Sequence, residues 1–217
     1  VKLLLTSAGL CDPSLVAAAE ELVGRPLSGL RAAVVPTAAN VIAGDKGWLI
    51  ADYVNLQRAG FAEVDIVDVS ALEADVWGPR LEASDVLVLT GGDTTHLLRW
   101  LRRSGLADRL PGLLASRLLV GISAGSMVLG PDLRLSASAK PQPEDSVGLG
   151  LVDFLVLPHL GSPYFPNASE EALRVAARDL AHTVFGLADG TAVAVDGDGM
   201  TIVGAGAHVR LEPATPR

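Results

Sequence analysis

The stretch Gly121-Ile122-Ser123-Ala124-Gly125 ends one apolar run, Leu118-Leu119-Val120, and is followed at once by another, Met127-Val128-Leu129. A serine with glycines at both second neighbours suits one demanding chemistry. A nucleophilic hydroxyl projects from a strand-to-helix turn so tight that side chains at those neighbours would collide, and the helix starting there aims N–H groups at developing negative charge. The same spacing occurs in plain turns and phosphate loops. Ser123 therefore reads as a nucleophile only if the chain also supplies a base and an acid.

Four histidines are available. His159 follows the apolar run Phe154–Leu157 and Pro158, where a loop leaves a strand, and is the best general base. His96 reads as a helix-face residue beside the site, His182 as a cation closing a helix, and His208 as a surface strand residue. Imidazole needs a carboxylate on its other nitrogen to fix the tautomer. Asp189, in Gly186-Leu187-Ala188-Asp189-Gly190-Thr191, can supply it, although an ordinary Asp-Gly turn before a strand explains the same residues. Gly91-Gly92-Asp93-Thr94-Thr95, after Val86–Thr90, has two readings. Either Asp93 or Thr94 caps a helix, or the glycines let backbone approach a substrate, the Gly92 and Ala124 amides forming an oxyanion hole. The segment lacks the Gly-Lys-Ser/Thr ending of a P-loop and the third glycine of a dinucleotide fingerprint, which disfavours nucleotides.

The elements that must position these groups follow from hydrophobic patterning. Lys2–Thr6, Ala32–Pro36, Glu63–Val69, Val86–Thr90 and Leu118–Ile122 read as strands buried on both faces. Between them lie helical stripes such as Leu49, Tyr53 and Leu56, or Leu97, Trp100 and Leu101. The expected fold is α/β, a mostly parallel sheet with helices on both faces and the serine elbow at its carboxyl edge. Thr6-Ser7-Ala8-Gly9 and the Gly91–Thr94 segment should share that edge, and Phe154–Leu157 should bring His159 to it. Ser169-Glu170-Glu171 should open a helix burying Leu173, Ala176, Ala177 and Leu180 on one face. Thr191–Val195, the turn 196–199 and Met200–Val203 read as a C-terminal β-hairpin, with one more strand through His208. Long loops at Gly130–Gly148 and Gly161–Asn167 border the site, and the tail from Glu212 should fray.

Composition narrows the function classes. The chain has 217 residues, 49% of them hydrophobic, enough for one large core, so residues 1–217 are expected to form a single domain. A formal charge of −8 argues against nucleic acid as partner, and Arg99, Arg102 and Arg103 read as a solvated helix face. No run approaches a membrane span, and Val1–Leu5 ends too soon for a signal segment. With one cysteine, Cys11, there is no internal disulfide, and the cytoplasm is the default location. No His, Asp and Cys grouping has metal-ligand spacing, so neither metal nor cofactor is expected. The expected partner is a small peptide substrate, and the oligomeric state stays open between monomer and homodimer.

In this order and spacing, Gly91-Gly92-Asp93-Thr94, Gly121-Ile122-Ser123-Ala124-Gly125, Pro158-His159 and Gly186–Thr191 resemble the peptidase E family of serine peptidases, which includes aspartyl dipeptidases and cyanophycinases. The resemblance runs from the first strand to about residue 195. It implies a fold related to class I glutamine amidotransferases, with Ser123 as nucleophile, His159 as base, and Gly92 and Ala124 as the oxyanion hole. Members similar at the last motif often carry glutamate where Asp189 stands, so a shorter arm must reach His159. The implied substrate is a dipeptide with N-terminal aspartate. Gly91, Asp93 and Thr94 would line its site, with Asp93 facing the α-amine, and Arg174, Arg178, Arg134 or Lys140 would meet its carboxylate. Should Asp189 not serve, Asp132, Glu144 and Asp145 are the remaining acids. A serine hydrolase of altered specificity, such as a broader aminopeptidase, an esterase or an isopeptidase, and a small-anion binding module stay as alternatives.

Overall fold

The computed structural model describes residues 1–140 and 142–213. Its strands are β1 (Lys2–Thr6), β2 (Arg31–Val35), β3 (Glu63–Ile66), β4 (Val86–Leu89), β5 (Leu118–Ile122), β6 (Leu155–Leu157), β7 (Val184–Leu187), β8 (Thr191–Asp196), β9 (Gly199–Gly204) and β10 (His208–Leu211). The helices are α1 (Pro13–Val23), α2 (Thr37–Asn40), α3 (Gly47–Arg58), α4 (Ala74–Glu82), α5 (Thr94–Arg103), α6 (Leu106–Leu113), α7 (Ala124–Met127) and α8 (Glu170–Ala176). The frayed tail expected from Glu212 falls, at 214–217, outside the described residues.

Seven strands form one sheet in the order β3-β2-β4-β5-β1-β8-β9. The first five are parallel, and the expected hairpin of β8 and β9 adds antiparallel strands beside β1. Strand periodicity divides the apolar residues between two cores. Leu3, Leu5, Ala33, Val35, Leu87, Leu89 and Leu119 face Trp77 and Leu81 of α4, Leu97, Leu98 and Leu101 of α5, and Leu110 of α6. Leu4, Ala32, Val34, Val86, Val88, Leu118 and Val120 face Leu15, Ala19 and Leu22 of α1 and Leu56 of α3. Each such leucine withdrawn from water contributes about 1.5–3 kcal/mol, which is why the strands read as near-continuous apolar runs. β3 departs from that expectation. As the edge strand it leaves Glu63 and Ile66 exposed, and its polar residues pair outward, Glu63 with Arg31 and Asp65 with Arg80.

The second departure matters more for the site. β6 does not join the large sheet but pairs in parallel with β7, which pairs antiparallel with β10, in a separate three-stranded sheet. Val184–Leu187 was not legible as a strand because Gly186 breaks its apolar run. A Cβ there would stand 2.6 Å from the Leu173 side chain of α8, which would have to shift to admit it. Val156, Phe185 and Leu187 face the large core, while Leu155 and Val184 meet Leu173, Ala177 and Leu180 in a small separate cluster. Ser169 caps α8 as expected, accepting from the Ala172 amide at 3.1 Å. That helix ends at Ala176, which is exposed rather than buried, and a 3-10 turn over Ala177–Asp179 follows.

Candidate active site

Ser123 sits between β5 and α7 with φ 49° and ψ −106°, in the left-handed half of backbone space that a non-glycine residue occupies only at a cost. Both flanking glycines are sterically required. A Cβ on Gly121 would lie 2.8 Å from the Ser126 backbone, and one on Gly125 would lie 2.1 Å from the Leu89 carbonyl oxygen. Neighbouring hydrogen bonds hold the turn: the Ser126 hydroxyl donates to the Thr6 carbonyl at 2.8 Å, and the Thr6 hydroxyl donates to the Gly121 carbonyl at 2.7 Å. The elbow is thus fixed by β1 and β4 as much as by its own sequence.

His159 follows β6, also at positive φ, 60°. Its Nε2 lies 3.0 Å from Ser123 Oγ and its Nδ1 2.8 Å from Asp189 Oδ1. The shorter aspartate arm therefore does reach the imidazole. The hydrogen bond from His159 holds the Asp189 carboxyl below the usual carboxylate range, burial opposing this and the Ser7 hydroxyl reinforcing it. An ionised Asp189 accepts only, so Nδ1 carries the proton and Nε2 is left to accept from the Ser123 hydroxyl. The phenyl ring of Phe165 stacks on the imidazole with centroids 4.2 Å apart and planes at 9°.

Ser7 was placed at this edge by the sequence but given no role. It is fully buried. Its hydroxyl accepts from the His159 backbone amide at 2.8 Å and donates to Asp189 Oδ1 at 2.8 Å, tying the loop after β1 to both partners of the serine. Phe165 was likewise missed, because only the tertiary fold brings the Gly161–Asn167 loop over His159. The signal that could have found Ser7 is its place one residue beyond a central strand.

The other expected residues have the following surroundings. Asp93 caps α5, accepting from the His96 amide at 2.7 Å, which is the simpler of its two readings. Gly92 has φ 136° and packs its Cα against the Ala38 carbonyl, while Gly91 faces the Ser123 side chain. Thr94 is buried, and its amide donates to Ser138 Oγ. Arg174 pairs with Glu170 one turn away on α8, both half exposed. Arg134 pairs with Asp132, Arg178 is exposed, and Lys140 donates to the Ser136 and Ser138 carbonyls. Of the reserve acids, Asp145 is buried in a two-point bond to Arg99, and Asp132 is held by Arg134. His96 lies along α5 near Trp100, His182 faces the Asp153 carbonyl in the link before β7, and His208 opens β10 on the surface. Among the described residues no group of three or more His, Cys, Asp or Glu could hold a metal ion. No helix among them is long and apolar enough to cross a membrane.

Comparison with known proteins agrees with this geometry at the level of family. An uncharacterized peptidase of Pasteurella multocida is 29% identical over 124 residues, covering 54% of this chain and 59% of that one. Peptidase E of Streptomyces coelicolor is 32% identical over 126 residues, covering 55% and 52%. The chain spans a little over half the length of these curated relatives. The crystal structure of a peptidase E candidate from Listeria monocytogenes EGD-e matches 93% of this chain and 96% of its own with TM-score 0.78 at 22% identity, which establishes the shared fold. The model of peptidase family S51 matches residues 3–203, nearly the whole chain, and the protein belongs to that family.

Proposed function

We propose that the protein is a serine peptidase of short peptides, using Ser123, His159 and Asp189, and that its preferred substrates are dipeptides with N-terminal aspartate. The observation carrying this reading is the unbroken hydrogen-bond chain from Ser123 Oγ through the imidazole to Asp189. His159 Nε2 takes the proton as Ser123 Oγ bonds to the scissile carbonyl carbon. The oxygen of that carbonyl takes up the negative charge and is met by the Ala124 amide, first in α7, and by the Gly92 amide. Collapse breaks the C–N bond, the imidazolium gives its proton to the leaving amine, and water then hydrolyses the acyl-enzyme by the same exchange. Asp189 holds the tautomer throughout.

On this reading Gly91 and Thr94 border the substrate, and Arg174 is the cation for the aspartyl carboxylate. Its ion pair with Glu170 is exposed and weak, so a substrate carboxylate can displace it. A wider first-residue range is favoured by a different observation: Arg134, Arg174 and Lys140 are each already bonded to another group of the protein. A fluorophosphonate probe should label the wild type at Ser123 and leave Ser123→Ala unlabelled, and a screen of dipeptides varied at the first residue should rank Asp-X first. Labelling that persists in Ser123→Ala would remove the serine from the mechanism. Equal turnover of Asp-X and Ala-X would replace the dipeptidase reading with the broader one.

A further inference from the structure

Cleavage at the first peptide bond puts the substrate's α-ammonium close to the reacting carbon, two bonds away and roughly 2.5 Å in space. The group that holds it must therefore stand within a residue's width of Ser123. Asp93 already uses one carboxylate oxygen to cap α5, which turns attention to a carboxylate from another element.

α3 supplies one. It lies over the carboxyl edge of the sheet, with Trp48 and Asp52 one turn apart on the same side. The Trp48 ring comes within 3.7 Å of the point a Cβ on Gly91 would occupy, and that point is 3.4 Å from Ser123 Cβ. Asp52 Oδ1 stands 3.4 Å from the equivalent point on Gly9, whose nearest neighbour, at 3.1 Å, is the side chain of Ile122, the residue before Ser123. Among the described residues no hydrogen bond engages the Asp52 carboxyl, although it is half-buried. Its surroundings are uncompensated: burial pushes it up to about 7, His159 pulls the other way, and Asp189 adds to the push. A carboxylate held at that cost, without a cation of its own, close enough to His159 and Asp189 to feel their charges, suits a cation that arrives with the substrate.

We propose that Asp52 is the specificity residue that anchors the free α-ammonium of the substrate's first residue, restricting the enzyme to unblocked N-termini. This rests on the peptidase reading for turnover but not for binding. The ammonium donates to Asp52 Oδ1 and its charge draws the carboxyl into the ionised form, so binding near neutral pH releases the proton that Asp52 carries in the free protein. An N-acylated peptide offers no charge and a single amide N–H in place of three ammonium donors, and so compensates the desolvated carboxyl poorly.

The test has two arms, each with Asp-Leu and Ala-Leu and their N-acetyl forms. In the first, calorimetry measures binding to Ser123→Ala and to Ser123→Ala with Asp52→Asn, so no catalysis is needed. Free-amine peptides should bind better than the acetylated ones, and Asp52→Asn should cut that preference by about 10- to 100-fold without weakening the acetylated forms. In the second, kcat/KM is measured with Ser123 intact. Asp52→Asn should lower it for free-amine peptides by a similar factor, leaving fluorophosphonate labelling unchanged. A preference that survives Asp52→Asn would assign the amine to another group. Equal losses on free and acetylated peptides, with a displaced pH profile for both, would make Asp52 an electrostatic neighbour of His159 instead. If the second arm finds no turnover in the wild type, the peptidase reading falls while the first arm still decides the anchor.

Discussion

The two sheets contribute unequally to the site. Ser123 and Ser7 come from the ends of β5 and β1 at the centre of the large sheet, while His159 and Asp189 follow β6 and β7 of the small one. On the large-sheet side position is enforced by backbone contact: the Leu89 carbonyl leaves Gly125 no room for a Cβ, and Ser7 is inaccessible to water. On the small-sheet side it is enforced by polar bonds among groups that solvent reaches, with the Asp189 side chain 53% exposed and Phe165 50% exposed. A serine fixed by packing and a histidine fixed by hydrogen bonds should fail in different ways when altered.

The largest effect should come from the packed side. Gly125→Ala drives a methyl into the Leu89 carbonyl, and we expect a loss of about 3 kcal/mol or more of stability, since neither backbone can withdraw without moving a central strand. Chemical denaturation reads it directly, and a shift below 1 kcal/mol would mean that the elbow is softer than its geometry implies. The polar side should instead lose activity without losing the fold. Asp189→Asn should cut turnover by up to about four orders of magnitude with only a modest fall in melting temperature. Because His159 and Ser7 already lie at hydrogen-bonding distance from Asp189, Asp189→Glu should crowd the imidazole and also lower turnover. Normal turnover in folded Asp189→Asn would make the residue a turn aspartate and nothing more.

The pH behaviour of that contact follows from its sign. Asp189 binds its proton less readily folded than unfolded, because His159 and Ser7 bond to the ionised form. Its contribution to stability is thus complete above the unfolded carboxylate range and is lost as pH falls through the lower folded value. Wild-type stability should therefore drop more than that of Asp189→Asn on acidification below about pH 4, and parallel curves would deny Asp189 its ionised bond.

Ser7→Ala probes the bridge between the two sides and should act less strongly. It removes one hydrogen bond to a charged acceptor, so turnover should fall by about 10- to 100-fold while KM changes little, and Ser7→Thr should recover part of it. A KM effect alone would place Ser7 in substrate binding. The smallest change belongs to the rim. Phe165→Leu keeps bulk over His159 but removes the stacked ring, and turnover should fall about threefold. A loss as large as that from Asp189→Asn would show that stacking, not the carboxylate, orients the imidazole.

The same contrast explains what could be read from the chain. Buried parallel strands announce themselves through runs such as Leu3-Leu4-Leu5 and Val86–Leu89, and the Gly121–Gly125 spacing states its own steric reason. His159 and Asp189 were legible because each follows an apolar segment or opens a turn. The small sheet was legible only in part: the strand ending at Leu157 and the one through His208 could be read, but glycine-broken β7, which joins them into a sheet of their own, carries too little pattern to distinguish a strand from a loop. Ser7 and Asp52 stayed hidden for another reason. Ser7 is marked only by its place just past β1 and Asp52 by nothing near it, and their importance arises only when β1 and α3 are packed against chain from far along the sequence.

The small cluster of Leu155, Leu173, Ala177, Leu180 and Val184 has a thermal consequence. A satellite core of so few side chains melts or opens with less free energy than the two cores flanking the large sheet. On gentle heating α8 can detach first from β6 and β7, whose other face stays in the large core, and so loosen the strands that carry His159 and Asp189 beside a serine whose elbow is still intact. Inactivation would then precede the loss of bulk ellipticity and reverse on cooling, and amide exchange would rise first between residues 155 and 187.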